Sequence, residues 1–228
     1  MDLTRYRQQR EQHKSQQRPI RNKCYTCFQP DFSCYCAKVR AFDPGITFVI
    51  LIHPIEAARR VATGRMSHLA LKGSYLIRGE DFSQSRDVLN LLADQENDCK
   101  ILYPGTQSTD LTKLSPPERG LVFAPKRRPV IFVIDGTWGT ARKMVRLSLP
   151  LQTLPRIQFT PPTPSRFRVR MQPNVNAYST IEAIHHTLEL LAPIQQTARP
   201  YDHLLELFDA MVEQQILFAK TRLGRRGG

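Results

Sequence analysis

The chain has 228 residues, with 33 Lys and Arg against 20 Asp and Glu, a formal net charge of +13 and a pI near 9.9. That length can bury a substantial core, as one large domain or one domain with a small appendage. No apolar run approaches the roughly 20 residues of a membrane span. The Gln/Arg-rich start has no apolar signal core, so a reducing cytoplasmic location without a membrane partner is expected.

The charge is unevenly spread. Residues 142–170 hold seven Arg or Lys and no Asp or Glu, the first 23 residues hold seven basic and two acidic residues, and the last nine hold four basic and none acidic. A solvated basic surface would account for solubility alone. An acid-free stretch directly after a candidate site loop points instead to a nucleic-acid partner.

In chain order, residues 1–20 read as a polar, basic arm without a core of its own. A module spanning 21–40 follows, carrying Cys24, Cys27, Cys34 and Cys36. Four thiols within thirteen residues, in a chain without a secretory signal, read as a metal site rather than disulfides. Structural zinc, which favours tetrahedral thiolates, is the first reading. An iron–sulfur cluster and uncoordinated redox thiols are the alternatives. Cys99 reads as a plain core residue.

The main body, 41–220, alternates strand and helix patterns. Strands are expected at 46–52, 74–77, 101–103, 121–124, 130–134 and 156–159. Helices are expected within 56–71, interrupted at Gly64, and over 85–93. Three further helices follow, one after Trp138 with Ala141 and Val145 on the same face, one through Ile181, Ile184, Leu188 and Leu191, and one through Leu204, Phe208 and Met211. Pro161-Pro-Thr-Pro164 enforces an extended loop, and residues 221–228 form a basic, frayed tail. This alternation predicts an α/β domain with a mostly parallel sheet flanked by helices.

Val130-Ile-Phe-Val-Ile134, apolar throughout, is the central strand, buried on both faces. It runs straight into Asp135-Gly136-Thr137-Trp138 at a strand-to-helix junction, where open α/β sheets bind their ligands. By local chemistry Asp135 fits two roles, a helix cap or turn former and a functional carboxylate. Ser179-Thr-Ile-Glu182 has the pattern of a capping box. His53-Pro54 and Tyr103-Pro104-Gly105 end two other strands in polar turns, so three strand ends are candidates for one pocket. Walker, dinucleotide, zinc-protease and nucleophile-elbow motifs are all missing. His185 and His186 are adjacent on a helix and do not face one another, which argues against a joint metal role.

The residues resemble the DTW-domain family of tRNA-uridine aminocarboxypropyltransferases. Asp135-Gly-Thr-Trp138 fits its DxTW core, extended by Ala141-Arg-Lys-Met144. In family order there are also the four cysteines, His53-Pro-x-Glu56, Thr63-Gly-Arg65, Leu102-Tyr-Pro104, Arg170-x-x-Pro173 and Ser179-Thr-x-Glu-Ala183. Together they cover residues 24 to 195. Ala62 departs from the pattern, standing where an asparagine is expected.

The resemblance implies a SPOUT-like domain, with a knot as a further feature, that binds S-adenosyl-L-methionine. The implied reaction moves the 3-amino-3-carboxypropyl group to N3 of a tRNA uridine and releases 5′-methylthioadenosine. Asp135 becomes the candidate general base. Leu102, Tyr103, Pro104, Gly136, Thr137, Trp138, Ser179 and Thr180 become the cradle for the co-substrate. Trp138 fits either a stacking role or a core role. Arg170 fits either the co-substrate carboxylate or an RNA phosphate. Arg142, Lys143, Arg146, Arg166 and Arg168 are the candidate phosphate contacts. The rival readings are an S-adenosylmethionine-dependent RNA methyltransferase and a non-catalytic zinc-containing RNA-binding protein.

Overall fold

In a computed structural model the described residues are 23–168, 177–192 and 198–224. The arm at 1–20, Arg170, Pro173 and the last four residues lie outside them. The chain divides into two units at Ala37/Lys38, and the larger one carries the sheet.

Six strands form that sheet: β1 Thr47–Ile52, β2 Tyr75–Arg78, β3 Asn97–Leu102, β4 Thr109–Asp110, β5 Arg128–Asp135 and β6 Arg156–Gln158. Their order is β2-β1-β5-β3-β6-β4, and every pairing is parallel. The helices are α1 Pro54–Ala58, α2 Thr63–Ala70, α3 Arg86–Ala93, α4 Pro116–Arg119, α5 Trp138–Leu147, α6 Leu149–Gln152, α7 Thr180–Leu191 and α8 Asp202–Gly224.

Parallel strands must be covered on both faces, and the apolar runs of β1 and β5 supply two buried rows each. Val49, Leu51, Ile101, Val130 and Phe132 pack with Val88 of α3, Met144 and Val145 of α5, and Leu151 of α6. The alternate residues Phe48, Ile50, Ile52, Ile131 and Val133 are also buried. Against β1 and β5 lie α2 and α7, and these two helices pack with α8. Cys99 packs against the first row, its thiol donates to the Leu91 carbonyl, and burial pushes that thiol up to about 11.

Two sequence expectations are corrected. Residues 121–124 are not a strand. The Leu121 and Val122 amides bond back to the Glu118 and Arg119 carbonyls, continuing α4 as turns, and Leu121 is exposed. A short apolar run does not separate these outcomes. Nor does the helix over 56–71 break at Gly64. It breaks at 59–62, where Arg59 is extended, and Gly64 sits inside the first turn of α2.

Ile52 of β1 is in register with Asp135 of β5, and Leu102 of β3 with Val133. The loops leaving these three neighbouring strands therefore emerge along one edge. The chain passes from β2, beyond β1, to β3 on the far side of β5, which places a switch in winding direction at β1, β5 and β3. Among the described residues no helix is long and apolar enough to cross a membrane.

Candidate active site

A cavity of about 810 Å³ opens at that switch point. Its size is within the roughly 300–1,000 Å³ typical of small-molecule sites. Leu102, Tyr103 and Pro104 line it from the end of β3, Asp135 to Trp138 from the end of β5, and Ser179 and Thr180 from the start of α7. Every candidate cradle residue within the described chain is thus gathered around one space. His53 is not among the lining residues. Its Nδ1 accepts from the Ile55 amide, capping α1, and its Nε2 lies 2.7 Å from Glu80. The His53 amide donates to the Asp135 carbonyl at 2.9 Å, which ties the two strand ends together.

Asp135 is 6 % exposed and reaches across the cavity wall rather than along its own helix. The cap of α5 is Thr137, whose Oγ1 accepts from the Thr140 amide at 3.2 Å. Asp135 Oδ2 instead accepts from the Gly64 amide of α2 at 3.2 Å, and Oδ1 from the Thr180 hydroxyl of α7 at 2.5 Å. Residues 64, 135 and 180 are thereby pinned to one carboxylate. Ala62, the N-cap of α2, makes no side-chain cap bond, so this carboxylate supplies an acceptor to a first turn that lacks its own.

Gly64 is required by this contact. A Cβ there would lie 2.4 Å from Asp135 Oδ2 and 3.0 Å from Ile50 Cγ2. Alanine normally stabilises a helix over glycine by about 1 kcal/mol. Gly64→Ala is expected to reverse that sign, costing about 1–3 kcal/mol through overpacking at the carboxylate. Urea denaturation checks this, and a neutral or stabilising result would mean that the contact is loose.

Trp138 is 42 % exposed at the cavity rim, while Ala141, Met144 and Val145 carry the buried face of α5. The core role is thus set aside, and an exposed indole faces the cavity. Sequence reading missed Gln158, Phe159, Phe167 and Tyr178, which complete the wall. The Phe159 and Tyr178 rings meet at a tilt of 53° with centroids 5.8 Å apart, and each meets the His186 ring edge-on. Only the position of Phe159 at a strand end hinted at this.

Glu182 does more than the expected capping box. It is buried, accepts from the Ser179 amide and hydroxyl at 2.9 and 2.6 Å, and also takes the Ser165 hydroxyl at 2.8 Å and the Arg166 amide at 2.6 Å. One carboxylate therefore anchors the proline-rich loop onto the start of α7. His185 and His186 bond separate carboxylates, Asp202 and Glu189, consistent with no joint metal role.

The candidate phosphate contacts divide. Lys143 is paired with Glu80 at 3.0 Å and Arg166 with Asp209 at 2.8 Å. Arg142, Arg146 and Arg168 are exposed, with no carboxylate partner among the described residues. Arg156, not singled out in the sequence, lies over the Tyr103 ring at 5.5 Å. Burial raises the Tyr103 phenol above its usual range, against the pull of Arg156 and Arg142 toward phenolate.

In the N-terminal unit the four cysteines converge. Cys24 and Cys36 Sγ are 3.6 Å apart, Cys27 and Cys34 Sγ also 3.6 Å, and all four sulfurs lie within 4.8 Å of one another. Zinc–thiolate bonds of about 2.3 Å place tetrahedral sulfurs about 3.8 Å apart, so the set fits a tetrahedral ion. The Cys24 amide donates to Gln29 O and the Phe28 amide to Cys24 O, both at 2.8 Å, closing the first cysteine turn. Amides of Cys27 and Thr26 hold the Cys24 thiol down to about 6, whereas burial and its thiol neighbours push Cys36 up. Four thiolates this close repel one another, and a single cation among them removes the conflict.

Residues 21–216 match the family model of the DTW domain. The chain belongs to the DTW domain family. Among curated proteins, this DTW chain is 28% identical over 215 residues to tRNA-uridine aminocarboxypropyltransferase 2 of Mus musculus, covering 91% of this chain and 70% of the mouse protein. It is 27% identical to the protein of that name in Macaca fascicularis over 216 residues, with the same coverages of 91% and 70%. The Drosophila melanogaster protein of that name is 27% identical over 176 residues, 75% of this DTW chain and 67% of the fly protein. No solved structure matches it.

Proposed function

We propose that this protein is a cytoplasmic tRNA-uridine aminocarboxypropyltransferase, using S-adenosyl-L-methionine as co-substrate on a SPOUT-like α/β domain, with structural zinc on Cys24, Cys27, Cys34 and Cys36. The observation that carries this reading is the convergence of Asp135 with the β3, β5 and α7 segments on one cavity at the switch point. Membership of the DTW domain family and the names of its relatives supply the reaction class.

Uridine N3 carries a proton and attacks carbon only as that proton leaves. Asp135, at the cavity wall, takes it as general base. The N3 electron pair forms the bond to the γ-carbon of the methionine chain while the carbon–sulfur bond breaks. Its electrons stay on sulfur, which leaves neutral 5′-methylthioadenosine. The chain's part is placement, because methyl and aminocarboxypropyl groups are both attached to the same sulfonium. Leu102, Val133, Ile134 and Ala183 give the cavity an apolar floor for the adenosine. Trp138 at the rim is positioned to stack on a base turned out of its helix, since N3 is engaged in a paired uridine. Thr180 and Gly64 fix the orientation of the Asp135 carboxylate. Zinc, when bound, would supply only a structural crosslink within the N-terminal unit, held by the thiolates of Cys24, Cys27, Cys34 and Cys36.

The test is product analysis. With bulk tRNA and labelled S-adenosylmethionine, 5′-methylthioadenosine and a modified uridine carrying the amino-acid side arm are expected. Release of S-adenosylhomocysteine would assign a methyltransferase instead, and no turnover with no co-substrate binding would leave an RNA-binding protein.

A further inference from the structure

One polar side chain in the cavity wall has its orientation set by the fold. Gln158 ends β6 and lines the space. Its Oε1 accepts from the Gly105 amide at 3.2 Å, and its backbone carbonyl accepts from the Leu111 amide at 2.8 Å. An N–H group must face an oxygen, so the Gly105 contact decides which end of the carboxamide is which. The loop that carries Gly105 is itself tied. The Ser108 amide donates to the Gly105 carbonyl at 3.1 Å, and the Ser108 hydroxyl to the Tyr103 carbonyl at 3.0 Å. Gln158 Nε2 bonds no group among the described residues. Oε1 keeps a second lone pair. The side chain thus offers a donor beside an acceptor, and exchanging the two would cost the Gly105 bond.

Position selects what meets this pair. β3 lies between β5 and β6, so at the roughly 4.8 Å spacing of neighbouring strands the Asp135 and Gln158 ends are about 10 Å apart. Both carbonyl oxygens of uracil flank N3, so a uracil whose N3 meets Asp135 keeps them at the β5 end. The carbon under attack lies there too, and adenine is the part of the co-substrate farthest from that carbon. Leu102, part of the apolar floor, is in register with Ile157, the residue before Gln158, and Phe159 after it also lines the cavity. Flat apolar surfaces suit a purine. The co-substrate carboxylate calls for a cation instead, and no Lys or Arg is among the described residues that line the cavity.

We infer that Gln158 reads the adenine of the co-substrate, with Nε2 donating to the ring nitrogen beside the 6-amino group and Oε1 accepting from that amino group. A carboxamide recognises an adenine edge in nucleic acids by the same pairing. An untethered glutamine turns its amide over to suit a 6-oxo purine, and the Gly105 amide holds Gln158 against that. This inference rests on the proposed use of S-adenosylmethionine and names the residue that sets its base specificity.

The experiment is calorimetry on the full chain with 5′-methylthioadenosine and its 6-oxo counterpart, 5′-methylthioinosine. The wild type is expected to prefer the adenine nucleoside by about 5- to 150-fold, the worth of one bidentate amide–base pair. In Gln158→Met, which keeps the shape and loses both polar atoms, that preference should fall to near unity. Gln158→Glu retains an acceptor for Gly105 but has no donor, so its affinity for the adenine nucleoside should still drop by at least about fivefold. Its urea midpoint should stay at the wild-type value. A preference undiminished in the methionine variant would overturn the assignment. So would full affinity in the glutamate variant, which would make Gln158 a strap for the Gly105 loop alone. A wild type that binds neither nucleoside, or both equally, would overturn it as well. Loss of preference in the methionine variant, with S-adenosylhomocysteine as the wild-type product, would keep the assignment and sink the proposed transfer. Aminocarboxypropyl product with an undiminished preference would do the reverse.

Discussion

Asp135→Asn is expected to leave folding and tRNA affinity close to wild type while lowering transfer by about 100- to 10,000-fold, the usual worth of a general base. The geometry explains why the two effects separate. The asparagine oxygen can accept the Gly64 amide as Oδ2 does now, and its NH₂ can donate to Thr180 Oγ1, whose hydroxyl rotates to accept. The network that joins the ends of β5, α2 and α7 therefore survives, and only the capacity to take a proton is lost. Asp135→Ala should behave differently. It leaves a buried amide and a buried hydroxyl without their acceptor, at about 1–3 kcal/mol for each group. Turnover with labelled co-substrate, tRNA retention and urea denaturation of both variants separate the roles. If asparagine restores both stability and turnover, Asp135 is a structural acceptor and the base lies elsewhere.

Replacing Cys24 and Cys27 together with serine is expected to remove one equivalent of metal and to melt the N-terminal unit. Among its described residues that unit buries little apolar material, chiefly Cys27 and Tyr35, while Tyr25, Phe28 and Phe32 are exposed. So small a core does not offset the entropy of ordering the chain. Metal binding by four thiolates, worth about 10–16 kcal/mol in zinc-finger peptides, is of the size required. Amide exchange reads the outcome directly, since the Cys24 and Phe28 amides donate to the Gln29 and Cys24 carbonyls within the first cysteine turn. Both should lose protection in the serine variant and on chelation of the wild type. Protein purified under reducing, chelator-free conditions with those amides protected and no stoichiometric metal would remove the metal assignment.

The two largest effects thus fall on features visible in one dimension, and this marks how far linear pattern carries. The apolar run before Asp135 pointed to a strand covered on both faces, as parallel sheets require, and Val130 to Val133 are all buried. The spacing of the four cysteines fixed a shared centre, because a short loop cannot carry its thiols far apart. The box at Ser179 and Glu182 followed from helix-end chemistry, which is local. What lay beyond reach was contact between distant positions. Gly64 looked like a helix breaker, yet it is a helical residue kept small by a carboxylate 71 positions away. Glu182 looked like half of a cap, yet it also anchors Ser165 and Arg166. A basic segment looked uniform until pairing with Glu80 and Asp209 separated its neutralised members from the others.

By itself, then, the order of residues determined the parallel α/β layering, the cysteine centre and the carboxylate at the tip of the middle strand, since each follows from periodicity or short-range geometry. The tertiary structure alone decided which strand ends share a cavity, which donors hold Asp135, and which basic side chains pair with an acid. These depend on where the chain crosses the sheet and on side chains meeting across tens of residues, and no local propensity encodes either.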